Sequence, residues 1–254
     1  MSRPHFRDLP LALSLLSRLP VPVDHSRAGA RAAAAAWAYP LVGVGLAGLA
    51  GGLAWGLSAT GLPPGPVAGL VLVAQVMLTG ALHEDGLADS ADGLWGGWEP
   101  ARRLEIMRDS RIGAYGVLAL GLSLLLRWAC LVAILTSGGP GLLLAALVAT
   151  AALSRGAMVT VMHVLPFARD DGLSRRVGTV PRWSALLAVG LSLGICVMLW
   201  GLLGLALLAA AGGAAALVVG RLAQARIGGQ TGDILGATQQ VTEITALLVL
   251  TSLV

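Results

Sequence analysis

Four carboxylates fall within nine residues of His83-Glu84-Asp85-Gly86-Leu87-Ala88-Asp89-Ser90-Ala91-Asp92-Gly93, and no basic residue stands among them. On a helix Asp85, Asp89 and Asp92 sit at i, i+4 and i+7 and share one face, within an arc of about 60°. Glu84 flanks that face. Like charges at this spacing repel, and a divalent cation reverses the sign of that interaction. Hard oxygen donors suit Mg²⁺ or Mn²⁺, and Mg²⁺ is usually held by few carboxylates together with substrate phosphates. The plain alternative is a solvated helix end. Against it stand the shared face, the lack of neutralising partners, and Gly86 and Gly93, which would open backbone to a close ligand.

A second cluster reads Arg108-Asp109-Ser110-Arg111-Ile112-Gly113-Ala114-Tyr115-Gly116. Two arginines beside a helix start suit phosphate, through guanidinium forks and free N–H groups together. A basic membrane anchor would also explain them. Upstream, Pro100 suits the first turn of a short helix ending near Asp109. The third cluster, Gly228-Gly229-Gln230-Thr231-Gly232-Asp233-Ile234-Leu235-Gly236, opens the last apolar run. Its glycines suit close approach of backbone to a ligand, whereas Asp233 alone could be a helix cap. Asp233, Gly236, Gln240 and Glu243 fall roughly on one face, as a polar interior stripe.

The elements that must position these groups are apolar. Of 254 residues, 56% are hydrophobic and 12% charged, with mean hydropathy +0.82. Globular domains carry about twice that charge, and disordered chains far less apolar residue. The net charge of +4 is unclustered, which disfavours nucleic-acid binding. The fold class is therefore an all-α polytopic membrane bundle, a single domain over 1–254. At about 20 residues per span it holds six to eight crossings, and seven apolar runs can be drawn: Trp37–Leu57, Val67–His83, Tyr115–Leu135, Leu142–Leu165, Trp183–Trp200, Leu202–Val219 and Ile234–Val254. Residues 1–32 form an N-terminal segment whose helix from Leu9 to Leu16 lies at the interface, and 84–114 the catalytic segment. The shared face of Asp85, Asp89 and Asp92 holds if helix two continues past the membrane surface through the acidic motif.

All 17 basic residues are arginine. With seven crossings, 15 of these 17 fall on one side, Arg27 among them, which places the N-terminus and the chemistry in the cytoplasm. Asp24 falls on the same side. Arg127 and Arg155 lie within spans, where an arginine costs about 2.5–3.5 kcal/mol and should face the bundle interior. Glu243 is an available partner for one of them. An ion pair that locks helices and a direct contact to substrate both suit these arginines, and Arg155 joins the candidate phosphate-binding groups with Arg108, Arg111 and Gly232. Cys130 and Cys196 read as small core residues. Gly48 and Gly52, four apart, suit close helix packing.

The residues alone thus point to a membrane enzyme that binds a diphosphate with Arg and Mg²⁺. At the level of motifs the chain resembles the cobalamin synthase family. His83 to Leu94 is similar to one of its signatures, Met107 to Gly116 to a second, and Gly232 to Ala237 followed by Glu243 to a third. Ser17-Arg18-Leu19-Pro20-Val21-Pro22, Tyr39-Pro40-Leu41-Val42-Gly43 and Leu165-Pro166-Phe167-Ala168-Arg169 with Asp171-Gly172-Leu173 follow the same pattern, in order from about residue 10 onward. The family tolerates an apolar residue where Glu84 stands. The resemblance implies transfer of the adenosylcobinamide phosphate moiety from adenosylcobinamide-GDP to α-ribazole or its 5′-phosphate, with release of GMP. It implies Mg²⁺; joined to the residue reading, this gives Asp85, Asp89, Asp92 and, less directly, Glu84 as its ligands, Arg108 and Arg111 on phosphate oxygens, and Asp109 or Asp233 as a further ligand or as the proton acceptor. Asp89, Asp109 and Asp233 are the catalytic candidates. The implied partners are these substrates and the lipid bilayer of a bacterial inner membrane. A homo-oligomer stays open.

Two other readings compete. A CDP-alcohol phosphotransferase expects Asp-Gly-x-x-Ala-Arg, and Ala88-Asp89 lacks that Arg; a prenyltransferase expects a second Asp-rich motif, for which Asp170-Asp171 is a poor substitute. A transporter expects polar residues through the whole bilayer depth, whereas here nearly all gather on one side.

Overall fold

The computed structural model describes residues 3–23, 29 and 31–254; Asp24 and Arg27 lie outside the described residues. These fold into helices α1 (Asp8–Leu16), α2 (Tyr39–Ala59, preceded by a 3-10 turn Ala34–Ala38), α3 (Pro64–Thr79), α4 (Leu82–Gly96) and α5 (Pro100–Ile106), then α6 (Ala114–Val164), α7 (Gly172–Val177), α8 (Arg182–Ile227) and α9 (Gly232–Thr251). The described residues hold no strand beyond one isolated bridge between Phe167 and Gln230.

The bundle is inverted relative to a soluble protein. Leu118, Leu122 and Leu125 of α6 and Met198, Leu202 and Leu203 of α8 face outward, an apolar surface that lipid covers. Inside, small residues such as Ala50, Ala54, Ala146 and Ala149 carry much of the packing, as expected where close van der Waals contact drives helix association. The buried pair in α2 is Gly43 and Gly51, not the expected one. A Cβ on Gly43 would lie 2.6 Å from the Ala151 carbonyl, whereas Gly48 and Gly52 face open space. Cys130 and Cys196 are buried and unpaired.

By length and apolarity four helices can cross a membrane, or five if the bent pair α3–α4 counts as one. That tally does not reach the expected seven. It takes α6 and α8 as single elements, yet each is broken at a glycine, Gly139 (φ 68°, ψ −170°) and Gly201 (φ 67°, ψ −171°). Arg127 and Arg155 lie on opposite limbs of α6 and line one small cavity; on a straight helix they would be about 40 Å apart. The chain therefore folds back at Gly139-Pro140. Only glycine occupies this backbone region without strain, and both breaks fall at a gap drawn between apolar runs. Gly139→Ala is expected to cost about 1–3 kcal/mol in unfolding from detergent. Gly190→Ala in α8, where a Cβ meets open space, should hold or raise stability.

Helix two does not continue through the acidic motif. Gly80 and Ala81 both take left-handed backbone (φ 65° and 59°), and α4 leaves at 87° to α3. The motif is helical, but on a separate helix with its own start. Pro100 opens α5 as expected, after Glu99 at the cap position.

The N-terminal segment is tied to this frame. Asp8 accepts from Arg31 Nε (2.5 Å), Trp37 Nε1 (2.8 Å) and the His5 N–H (2.9 Å). Burial alone would raise its carboxyl, but these donors outweigh burial and hold it below the usual carboxylate range. Arg18 N–H donates to the Leu78 carbonyl at 2.8 Å. The α1 residues Ala12 and Leu16 then enter the core beside Tyr39, Met158 and Met162.

Candidate active site

Two glycines bring the acidic helix onto α9. A Cβ on Gly86 would stand 2.8 Å from the Asp233 carbonyl, and one on Gly236 3.1 Å from the Gly86 Cα. The space that Gly86 leaves is thus filled by α9 rather than by a ligand. Gly93 likewise faces Met107 and the Arg103 carbonyl of α5. The α4–α9 crossing sets Asp85 and Asp89 beside Asp233, and the charges acting on Asp89 are those of Asp85, Asp233, Asp92 and Arg169. Gly86→Val should push the helices apart and lower turnover at least tenfold with membrane insertion retained; unchanged turnover would show that this close approach is dispensable.

Arg169 is the cation here; it closes the family-like motif Leu165-Pro166-Phe167-Ala168-Arg169 and was not among the expected phosphate-binding groups. Its Nη2 lies 3.3 Å from Asp233 Oδ2 and its Nε 3.6 Å from Asp171 Oδ1, while buried Nε and Nη1 find no hydrogen-bond partner. Two segments place it. Gln230 N–H donates to the Pro166 carbonyl (2.8 Å), and Ala168 N–H to the Gln230 carbonyl (3.0 Å). Gly229 permits this, since a Cβ there would collide with the Pro166 carbonyl. Thr231 caps α9 by accepting from the Ile234 N–H at 3.3 Å. Asp233 is therefore not the cap and is left to the site. Arg108 adds a second cation: it pairs with Asp171 at 2.5 Å and acts on Asp233.

Several expected members stand elsewhere. Both Asp92 oxygens accept backbone N–H groups, from Gly113 (2.7 Å) and Gly116 (2.9 Å). The anion at the α6 N-terminus is thus this carboxylate, and those N–H groups are taken up by it rather than by a phosphate. Glu84 turns inward to Arg127 at 2.8 Å, away from Asp85. Asp109 and Arg111 form an exposed pair at 2.6 Å. That hydrogen bond, with the Arg111 N–H, holds Asp109 down to about 2. Arg155 is buried and donates to the Ala151 carbonyl at 3.2 Å.

Beneath the carboxylates Arg127 meets Glu84 and, at 3.1 Å, Glu243, so Glu243 is a partner of Arg127 and the interior ion pair exists. Gln240 and Gln239 extend it, with Gln239 Nε2 donating to Glu243 Oε2 at 2.6 Å. A cavity of about 20 Å³ lies among these groups, room for about one water. Among the described residues no group of three His, Cys, Asp or Glu is spaced to hold a metal unaided. The donors around Asp89 are all hard oxygen, and Mg²⁺ commonly takes one or two carboxylates and completes its shell with phosphate oxygens and water. This donor set fits that mode.

Fold and site define a helical membrane protein with a carboxylate-and-arginine site where α9 begins and α6 ends. The chain belongs to the cobalamin-5-phosphate synthase family, whose sequence model matches residues 8–251. It is 48% identical over 251 residues to an adenosylcobinamide-GDP ribazoletransferase of Mesorhizobium japonicum, covering 95% of this chain and 92% of that one. A protein of the same name from Bradyrhizobium diazoefficiens is 47% identical over 247 residues, with the same coverage. One from Brucella ovis is 40% identical over 257 residues, 93% of each chain. No solved structure matches the chain.

Proposed function

We propose that this protein is an adenosylcobinamide-GDP ribazoletransferase. A ribose hydroxyl of α-ribazole, or of its 5′-phosphate, attacks the cobinamide-side phosphorus of adenosylcobinamide-GDP. The new O–P bond forms as the bond to GMP breaks, and the hydroxyl proton passes to a carboxylate. The observation that carries this reading is the placing of Asp85, Asp89 and Asp233 against Arg169, whose buried donors are unspent. Arg169 and Arg108 hold diphosphate oxygens and offset charge on the leaving GMP. Asp233, paired with Arg169, orients that guanidinium. Asp89 or Asp233 takes the proton. Asp85 and Asp89 are the groups that would hold Mg²⁺, which would supply further charge neutralisation at the diphosphate. The single-sided arginines support a bacterial inner-membrane protein of seven crossings with the site towards the cytoplasm.

The test is turnover by purified protein in detergent, given adenosylcobinamide-GDP and α-ribazole 5′-phosphate. GMP release with cobalamin 5′-phosphate as co-product, lost with EDTA and restored by Mg²⁺, is expected. Folded protein that releases no GMP would overturn the reading, and turnover indifferent to EDTA would remove the metal.

A further inference from the structure

A groove of about 500 Å³ opens between the second limb of α6 and both limbs of α8. Contacts fix its two ends. A Cβ added to Gly212 would stand 3.1 Å from the Leu153 side chain, and one on Gly220 3.7 Å from that of Leu165. The second limbs of α6 and α8 therefore run side by side in the same direction. The groove follows them from Leu153 to Leu165, about 18 Å at helical rise. That is close to one leaflet's share of a hydrocarbon core about 30 Å thick. Gly156, Ala157, Gly213 and Ala216 line it, and a Cβ on Gly213 would meet nothing within 4 Å. Val164 and Leu217, also on its walls, are 67% and 57% exposed, so the groove opens outward to lipid.

The polar groups are unequal along it. Thr160 and Ser192 lie between the ends, and their hydroxyls are spent on backbone carbonyls, of Gly156 (2.9 Å) and of Ala152 and Ala188 (2.8 and 2.9 Å). Arg221 and Gln224 line the groove at the Leu165 end, just past Gly220, and both are exposed. Arg221 takes part in no ion pair among the described residues. This is also the end towards the active site, because Leu165 leads into Pro166, whose carbonyl accepts from the Gln230 N–H.

An apolar furrow one leaflet long, with a guanidinium at its site-side end, is complementary to an amphiphile with an anionic head. We infer that this groove seats one acyl chain of an anionic phospholipid from the leaflet on the active-site side, with Arg221 and Gln224 donating to its phosphate. A helix of a second copy fits less well: over 18 Å a helix about 10 Å across fills roughly 1,400 Å³. The lipid lies against the end of α6 and stays outside the carboxylate site, so it is a bound structural lipid and not a substrate. The inference does not depend on the proposed reaction.

The test is native mass spectrometry of delipidated protein in detergent, titrated with phosphatidylglycerol or with phosphatidylethanolamine of the same chains. Wild type is expected to hold one phosphatidylglycerol about fivefold more tightly than phosphatidylethanolamine, the scale of one arginine against an anionic headgroup. Arg221→Gln should bring the two lipids to equal affinity. Gly213→Leu fills the groove while gaining helix propensity, and should weaken both lipids at least tenfold; Ala157→Leu serves in its place if Gly213→Leu unfolds. Wild type without a headgroup preference, or a preference kept in Arg221→Gln, overturns the inference. So does lipid binding that the groove-filling variant leaves unmoved. Dimers of the wild type that Gly213→Leu disperses would make the groove an interface between copies and would overturn it as well.

Discussion

Asp89→Asn is expected to abolish turnover, with kcat falling by about 10³ or more, while the protein inserts and folds at least as well as wild type. The loss follows from removing an anion at the centre of the reacting charges. The retained stability follows from the same geometry. Asp89 is half-buried and faces Asp85, Asp233 and Asp92 with Arg169 as the compensating cation, so neutralising it relieves repulsion among like charges. Functional groups held at such a cost commonly stabilise a protein when removed. Asp92→Asn, three residues on, should give the opposite signature. It weakens the cap of α6, costing about 1–2 kcal/mol, and lowers activity only as far as α6 shifts. GMP release and the detergent unfolding midpoint, measured on both variants, check the pair. An active Asp89→Asn would remove the proposed centre, and an unfolded one would make that aspartate structural.

That contrast also marks how far the sequence could be read. Periodicity put Asp85, Asp89 and Asp92 on one face, and α4 keeps them there. Periodicity says nothing about which neighbour covers each part of that face. The α6 N-terminus covers Asp92, and α9 approaches the part holding Asp85 and Asp89. The Arg108–Arg111 cluster showed the same limit: phosphate and carboxylate satisfy a helix N-terminus by the same physics, and only the folded chain shows that Asp92 arrives there. Glu84 gave a faint hint, since the family's pattern accepts an apolar residue at its place, as an inward-facing position would. Arg169 stood in a family-like motif, but its place beside Asp233 was not legible, because it depends on a pairing between 166–168 and 230, more than sixty residues apart. The breaks at Gly139 and Gly201 were legible as gaps between apolar runs, whereas the 87° turn at Gly80-Ala81 was not. Ala81 there holds a left-handed conformation that alanine seldom adopts, and nothing in its type announces it.

Arg127→Met should be the most destabilising single substitution in the membrane interior, by about 3–5 kcal/mol. Arg127 is 2% exposed and lies between Glu84 at 9% and Glu243 at 5%. Removing it leaves two carboxylates that cannot reach water, with Arg155 as the remaining cation of the group. The interior charge is balanced over four residues, two Arg and two Glu, rather than over one pair. Rescue should therefore follow the charge count. Arg127→Met with Glu84→Gln leaves Arg155 and Glu243 and should recover more than half of the loss, as should Arg127→Met with Glu243→Gln. The triple variant that removes both glutamates should be worse than either double, because Arg155 is then buried without a counter-ion. Unfolding of the four variants in detergent gives the comparison. Additive losses with no rescue would mean that Arg127 acts through packing, not charge. Because Glu84 immediately precedes Asp85, the same balance anchors the start of α4, and turnover in the series should rise and fall with stability. Arg155 would then owe its position to this interior balance and not to phosphate.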